Sequence, residues 1–213
     1  MKKITLLVLF FFFLFSGQVF AQDAKSNTER IKFGNPPIPP ISSTVVGAAQ
    51  AIKSAYDGCA SGFTQETSGL DTCLRQQLLS AGYSEAVLDA FETRRRSGIA
   101  DGCTQCLGFV GLVLTLLSGS TSTLVGIPSA KDVLNSTTIT AGSLLFEQIP
   151  STEPIQPGDI GVSGGGTWGH ILLVNTIEGN IKFSALESNG NFDCRITDSR
   201  MILRELYTFY RQK

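Results

Sequence analysis

Residues 103–119 have the sequence CTQCLGFVGLVLTLLSG, and residues 169–189 have the sequence GHILLVNTIEGNIKFSALESN. Apolar residues recur at helical spacing in the first stretch, which predicts a helix that Thr104 caps and that ends at Ser118-Gly119. The second stretch contains two apolar segments joined by a Gly-containing turn, which predicts a β-hairpin. A helix followed by hairpin-connected strands favours an α+β domain with an antiparallel sheet.

The flanking sequence extends this pattern in both directions. We expect a short helix near 129–134, a strand at Ile160–Val162, and a final strand run from Ile202 to Tyr210. Before the domain, which we place at 99–213, residues 43–98 predict a small all-helical region of two or three helices whose role the sequence does not reveal. The triplet Arg94-Arg95-Arg96 is expected at the solvated end of one of these helices.

The N-terminus has the pattern of an export signal. Two lysines precede the apolar run Ile4–Phe15, and Val19-Phe20-Ala21 is a small-residue cleavage pattern, which predicts a signal peptide over 1–21. The apolar run is shorter than the roughly 20 residues of a spanning helix, so no stable membrane anchor is expected after cleavage. Residues 22–42 are polar and then Pro-rich, which predicts a linker. We therefore expect a secreted or cell-envelope protein.

Composition narrows the possible functions. The chain has 213 residues with 17 basic and 18 acidic side chains, and this balance argues against a nucleic-acid partner. Hydrophobic residues make up 42% of the sequence, enough for a packed core. We expect a monomer without a cofactor.

The sequence contains a single histidine, His170, so any catalysis that needs an imidazole must use it. A lone histidine is most often structural. His170, however, begins an apolar strand directly after the Gly-rich segment 163–169, where a rigid element meets an adaptable loop. Trp168 in this loop is either a core aromatic or a wall of the substrate groove, and we favour the groove.

Five cysteines in an oxidising compartment leave at least one free thiol. Cys106 is the best candidate, because the first turn of a helix stabilises a thiolate and lowers its pKa. Of the three possible pairings of the other four, we favour Cys59–Cys73 with Cys103–Cys194. A thiolate beside an imidazole is the activated nucleophile of acyl transfer.

The hairpin geometry suggests a third group that orients the imidazole. A two-residue turn at Glu178-Gly179 places His170 directly opposite Glu187, and a turn shifted by one residue places it opposite Asn189. In both registers the two polar residues share the face of the histidine. A three-residue loop without a bulge would instead place Ser188 opposite.

Four segments together resemble a known family, the CHAP domain (cysteine, histidine-dependent amidohydrolase/peptidase). They are Gln105-Cys106 with the following Leu-Gly-Phe-Val, Pro157-Gly-Asp-Ile160, Gly169-His170-Ile-Leu-Leu-Val174 and Glu187-Ser-Asn189. The resemblance spans about residues 99–211 and does not cover the helical region before them.

The resemblance implies a papain-like α+β fold, with the catalytic cysteine at a helix N-terminus facing an antiparallel sheet. It makes Cys106 the nucleophile, His170 the general base and then acid, Glu187 the orienting group and Asn189 a fourth polar member. Gln105 matches the residue before the family's cysteine, where a backbone amide helps to bind the oxyanion. Such domains cleave amide bonds, usually in peptidoglycan, which makes peptidoglycan or another peptide the expected substrate.

Three other interpretations remain open. Cys103-Thr-Gln-Cys106 is also the pattern of a secreted thiol-disulfide oxidoreductase. His170 with Cys103, Cys106 and Cys194 forms an acceptable zinc ligand set, although no second Cys-x-x-Cys supports it, and we predict no metal. The third interpretation is a non-enzymatic protein, a cell-wall-binding or catalytically inactive module in which His170 and Cys106 are simply buried.

Overall fold

The computed structural model describes residues 42–97, 99–100, 102–179 and 181–213, all of which belong to one compact unit. The predicted signal peptide and all but the last residue of the predicted linker lie outside these residues. The helices span Val45–Ala60 (α1), Leu70–Ser80 (α2), Glu85–Ser97 (α3) and Cys106–Ser118 (α4). Short 3-10 helices span Ala130–Asn135 and Arg204–Leu206.

Within the described ranges, the strands form two antiparallel sheets. The small sheet pairs Ile99–Ala100 (β1) with Cys103–Thr104 (β2). The strands of the large sheet are Thr138–Ala141 (β3), Leu144–Gln148 (β4), Ile160–Ser163 (β5), His170–Glu178 (β6), Lys182–Ser188 (β7), Ile196–Leu203 (β8) and Thr208–Gln212 (β9). Their order is β3-β4-β9-β5-β6-β7-β8. The predicted α+β class with an antiparallel sheet is confirmed.

Two predicted element boundaries are wrong. Thr104 does not cap α4, because it pairs with Ile99 in the small sheet and its buried hydroxyl contacts the Tyr56 hydroxyl; Gln105 holds the N-cap position. The final apolar run is not one strand either, because the 3-10 helix Arg204–Leu206 divides it into β8 and β9.

The hairpin between β6 and β7 differs from both two-residue registers. Glu178 pairs with Lys182 around a three-residue loop, and a bulge at Asn175 then shifts the register, so that Leu173 pairs with Leu186. The bulge compensates for the extra loop residue. Between the bulge and His170, β6 and β7 therefore pair in the register expected for a two-residue turn at Gly179-Asn180.

The helical region and the sheet share one hydrophobic core. Helix α4 packs against α1, α3, β6 and β7, and Gly108–Leu116 are all buried. A helix that is apolar on every side must be covered on every side, which explains its central place. Strand β6 is buried on both faces, since Ile171 and Leu173 join this core while Leu172 and Val174 join a second cluster.

The arginine triplet at the end of α3 is not a solvated charge run, as the sequence suggested. Arg94 and Arg95 are 3% and 1% exposed, and only Arg96 points to solvent. Arg95 is held by Glu66 and Asp71, which compensate its charge in the interior. The carboxylate partners come from the α1–α2 connection and from α2, so helix periodicity alone does not reveal them.

Both disulfides favoured from the sequence are present. Cys59–Cys73 joins α1 to α2, and Cys103–Cys194 joins β2 to the β7–β8 loop across 91 residues of sequence. Two disulfides are typical of an extracellular or otherwise oxidising environment. Within the part of the chain that the structure describes, no helix has both the length and the apolar character needed to cross a membrane.

Candidate active site

Cys106 is the first residue of α4 and the free cysteine among the described residues. Its side chain is partly buried and lines an open cleft. Because the first N–H groups of a helix have no helical acceptor, this position favours a negative sulfur. The chain reaches it through Thr104, whose backbone oxygen accepts a 2.7 Å hydrogen bond from the Ser188 hydroxyl on β7.

His170 begins β6 and faces both the thiol and an acid. Its Nε2 donates to Glu187 Oε2 at 2.5 Å, and its side chain lines the same cleft as Cys106. The residue before it must be glycine: Gly169 has φ +70°, and a Cβ there would lie 2.5 Å from the Ser163 carbonyl oxygen. That close approach fixes where β6, and with it the imidazole, begins.

The carboxylate that holds the imidazole belongs to Glu187. Its side chain is fully buried and also accepts two hydrogen bonds from Arg200, from Nε and, at 2.6 Å, from Nη2. Arg200 was not identified from the sequence. It lies on β8 opposite Ala185, and a register shift between Ala185 and Glu187 aligns its guanidinium with the carboxylate. The position of Arg200 beside Glu187 follows only from the register between β7 and β8. The sequence did not predict this position, because the predicted final strand began at Ile202, after Arg200.

The three titratable groups shift each other's pKa in the direction of an ion pair. Burial opposes the charge on the imidazole, but hydrogen bonds to Cys106 and Glu187 outweigh it and raise the pKa of His170 to about 9. Burial also opposes the thiolate, yet hydrogen bonds with His170 and the Ile171 and Leu107 backbones lower the pKa of Cys106. The pKa of Glu187 falls as well, because bonds from His170 and Arg200 overcome its burial.

Asn189 does not hydrogen-bond His170. Its Nδ2 donates to Gln105 Oε1 at 2.8 Å, and its Oδ1 accepts from the Cys194 backbone N–H at 3.0 Å. Asn189 has φ +57°, a left-handed conformation that asparagine tolerates well. It therefore connects the N-cap of α4 to the disulfide-bearing loop, and it orients the side chain of Gln105.

Gly190 lies directly against the buried carboxylate. A Cβ at this position would lie 2.6 Å from Cδ of Glu187 and 2.7 Å from its Oε1. No side chain fits there unless the carboxylate moves. The sequence offers no signal for this constraint beyond the presence of a glycine after Glu187-Ser-Asn189.

The cleft above the thiol has a volume of about 740 Å³. Gln105, Cys106, His170 and Asn189 line it, while the carboxylate of Glu187 lies behind the imidazole. Trp168 also lines it with 66% of its surface exposed, as expected for a groove wall. Phe192 from the β7–β8 loop, 90% exposed with φ +57°, is another aromatic on this cleft, and no sequence pattern singled it out.

The geometry separates Cys106 from the other cysteines. Cys103 is bonded to Cys194, so it does not form a Cys-x-x-Cys bridge with Cys106. Over the described ranges, no group of three His, Cys, Asp or Glu side chains is arranged to hold a metal ion. The assembled chemistry is that of a thiol, an imidazole and a buried carboxylate, the arrangement used for nucleophilic acyl transfer.

Comparison with known proteins gives no relative on which to base a function: no protein-family model matches the chain, and no curated protein is similar to it.

Proposed function

We propose that this chain is an exported cysteine hydrolase of papain-like fold that cleaves amide bonds, most readily in peptidoglycan. One observation carries the proposal: a free thiol at a helix N-terminus shares one cleft with an imidazole whose Nε2 is held by a buried carboxylate at 2.5 Å, and the thiol and the imidazole shift each other's pKa toward the charged pair. Peptidoglycan as the substrate, and membership of the CHAP family, rest on the sequence resemblance. The predicted signal peptide and the two disulfides are consistent with export.

In the first half-reaction, the Cys106 thiolate attacks the carbonyl carbon of the amide. A C–S bond forms, and the carbonyl π electrons move to oxygen. Backbone N–H groups at the start of α4 and the side-chain amide of Gln105, which Asn189 orients, are the proposed donors to this oxyanion. His170 protonates the amine as the C–N bond breaks, leaving an acyl-enzyme.

In the second half-reaction, neutral His170 takes a proton from water, which attacks the acyl carbon. The C–S bond breaks, the carboxylic acid leaves, and the thiolate and imidazolium are restored. Glu187 stabilises the imidazolium that exists at the start and end of the cycle, and Arg200 keeps Glu187 ionised and in place.

The oxidoreductase alternative receives no support from this geometry, because the Cys103–Cys194 bond leaves Cys106 without a partner thiol in its own motif. An inactive wall-binding module, the other alternative, would bind cell wall without releasing amines or sugars.

The test is incubation of the mature chain with isolated cell wall, with released amines and sugars identified by mass. We expect new amino groups with the wild-type chain and none with Cys106→Ala, whereas a folded Cys103→Ser variant retains activity. Release that persists in Cys106→Ala, or equal loss in folded Cys103→Ser, contradicts the proposal. The products also distinguish cleavage at the sugar–peptide amide from cleavage within the peptide.

A further inference from the structure

Arg94, near the end of α3, is a buried cation that lines the same cleft as Cys106. Its side chain packs so closely on α4 that a Cβ at Gly111 would overlap the guanidinium. The residue is 3% exposed, yet it belongs to the helical region for which the sequence showed no role. Arg94 therefore places a positive charge from that region at the wall of the candidate active site.

The guanidinium is only partly satisfied by the protein. Nη1 donates to the Ser97 hydroxyl at 3.1 Å and Nη2 to the Leu107 carbonyl oxygen at 3.3 Å, while Nε is buried without a hydrogen-bond partner. No carboxylate among the described residues forms an ion pair with Arg94. Its neighbour Arg95, equally buried, pairs with Glu66 and Asp71. A buried charge without a partner is costly, so the difference between the two arginines requires an explanation.

The other charged groups at the cleft are compensated, since the His170 imidazolium faces the Cys106 thiolate and the Glu187 carboxylate. Among the described residues, those that line it include Arg94, Arg200 and His170 but no aspartate or glutamate. Arg200 is paired with Glu187, which lies behind the cleft, so the uncompensated charge at the cleft wall is that of Arg94. A cleft with this lining favours an anionic ligand over a neutral one.

We propose that Arg94 binds a carboxylate of the substrate, so that the enzyme prefers acidic peptides in which a free carboxylate lies near the scissile amide. The planar guanidinium matches a carboxylate in shape, and its remaining N–H groups supply the donors. This inference rests on the proposed hydrolase function and gives the helical region a role in substrate selection. Arg94 acts through binding and takes no part in the chemical step.

The test compares two substrates that differ only in charge. Soluble muropeptides with free carboxylates are one substrate, and the same muropeptides with their carboxylates converted to carboxamides are the other. For the wild-type chain we expect kcat/KM to be roughly tenfold to a hundredfold higher for the acid, as loss of a charge-assisted hydrogen bond implies. Arg94→Gln should bring the acid-to-amide ratio close to one, and Arg94→Lys should retain part of it.

Arg96→Gln is the matched control, because Arg96 lies on the same helix turn, is exposed and does not line the cleft. It should leave the acid-to-amide ratio unchanged. A merely structural role of Arg94 would lower kcat/KM for both substrates equally, so an unchanged ratio in folded Arg94→Gln overturns the inference. If Arg94→Gln does not fold, the wild-type ratio decides: equal cleavage of acid and amide overturns it.

Failure of the proposed function gives a different result. A wild-type chain that cleaves neither muropeptide contradicts the hydrolase assignment, and binding then tests Arg94 separately. In that case the acid and amide muropeptides are titrated into Cys106→Ser by calorimetry. Tighter binding of the acid supports the role of Arg94, and equal or absent binding of both overturns it.

Discussion

The substitution Cys106→Ser tests the ion pair on which the proposed chemistry depends. The serine hydroxyl has nearly the size of the thiol, but it does not ionise at accessible pH. His170 therefore loses a charged hydrogen-bond partner and keeps Glu187. Because burial alone lowers the pKa of the imidazole, we expect the pKa of His170 in the variant to be at least one pH unit lower than in the wild-type chain.

The size of the effect follows from the pKa of about 9 against the ordinary 6.5. That difference corresponds to roughly 3 kcal/mol in favour of the imidazolium in the folded protein, shared between Cys106 and Glu187. Since the folded pKa is raised, this stability is present in full below about pH 6.5. It is lost as the pH rises through about 9.

The measurement is an NMR titration of the imidazole, and the assignment needs no further variants because His170 is the only histidine in the sequence. Glu187→Gln serves as the second arm and should also lower the pKa of His170, since it removes the other negative partner. In the wild-type chain, hydrolysis should decline above about pH 9, as His170 loses the proton that the leaving amine needs. A wild-type pKa near 6.5 that Cys106→Ser leaves unchanged would refute the ion pair.

Three further predictions concern the residues around the site. The double variant Cys103→Ser/Cys194→Ser should retain hydrolysis. Its free energy of unfolding, measured by denaturant titration, should fall by roughly 4 to 5 kcal/mol, because the unfolded chain is no longer closed into a loop. Loss of activity in the folded double variant would contradict this prediction. Arg200→Met should lower kcat at least tenfold with a smaller change in KM, because the buried carboxylate behind the histidine loses two hydrogen bonds; an unchanged kcat would show that the pair is dispensable. Gly190→Ala should lower kcat, because its Cβ would displace the Glu187 carboxylate. Gly165→Ala is the control and should leave kcat unchanged, since Gly165 lies on the same cleft and its Cβ would have its nearest neighbour 3.4 Å away. Equal effects of the two substitutions on kcat would argue against contact between residue 190 and the carboxylate.

The sequence alone determined the features that depend on local pattern and on counting. Helical spacing of apolar residues located α4, and the apolar runs located β5, β6 and β7. The odd number of cysteines required a free thiol, and a helix start favoured Cys106 as its position. The alternation of side chains along two paired strands placed Glu187 on the face of His170 in either two-residue register, and the bulge at Asn175 preserves that face around the three-residue loop.

Tertiary structure decided the features that depend on partners distant in sequence. The last strand, β9, lies between β4 and β5, and the sheet extends beyond it through the hairpin of β3 and β4, which the sequence pattern did not predict. The bulge at Asn175, the bond from Arg200 to Glu187 and the pairing of Asn189 with Gln105 also required the fold. A run of three identical arginines also does not show that Arg95 is paired with carboxylates while Arg94 is not. Periodicity records which side of an element is apolar, but the compensation of a buried charge depends on which groups the whole chain brings within a few ångströms of it.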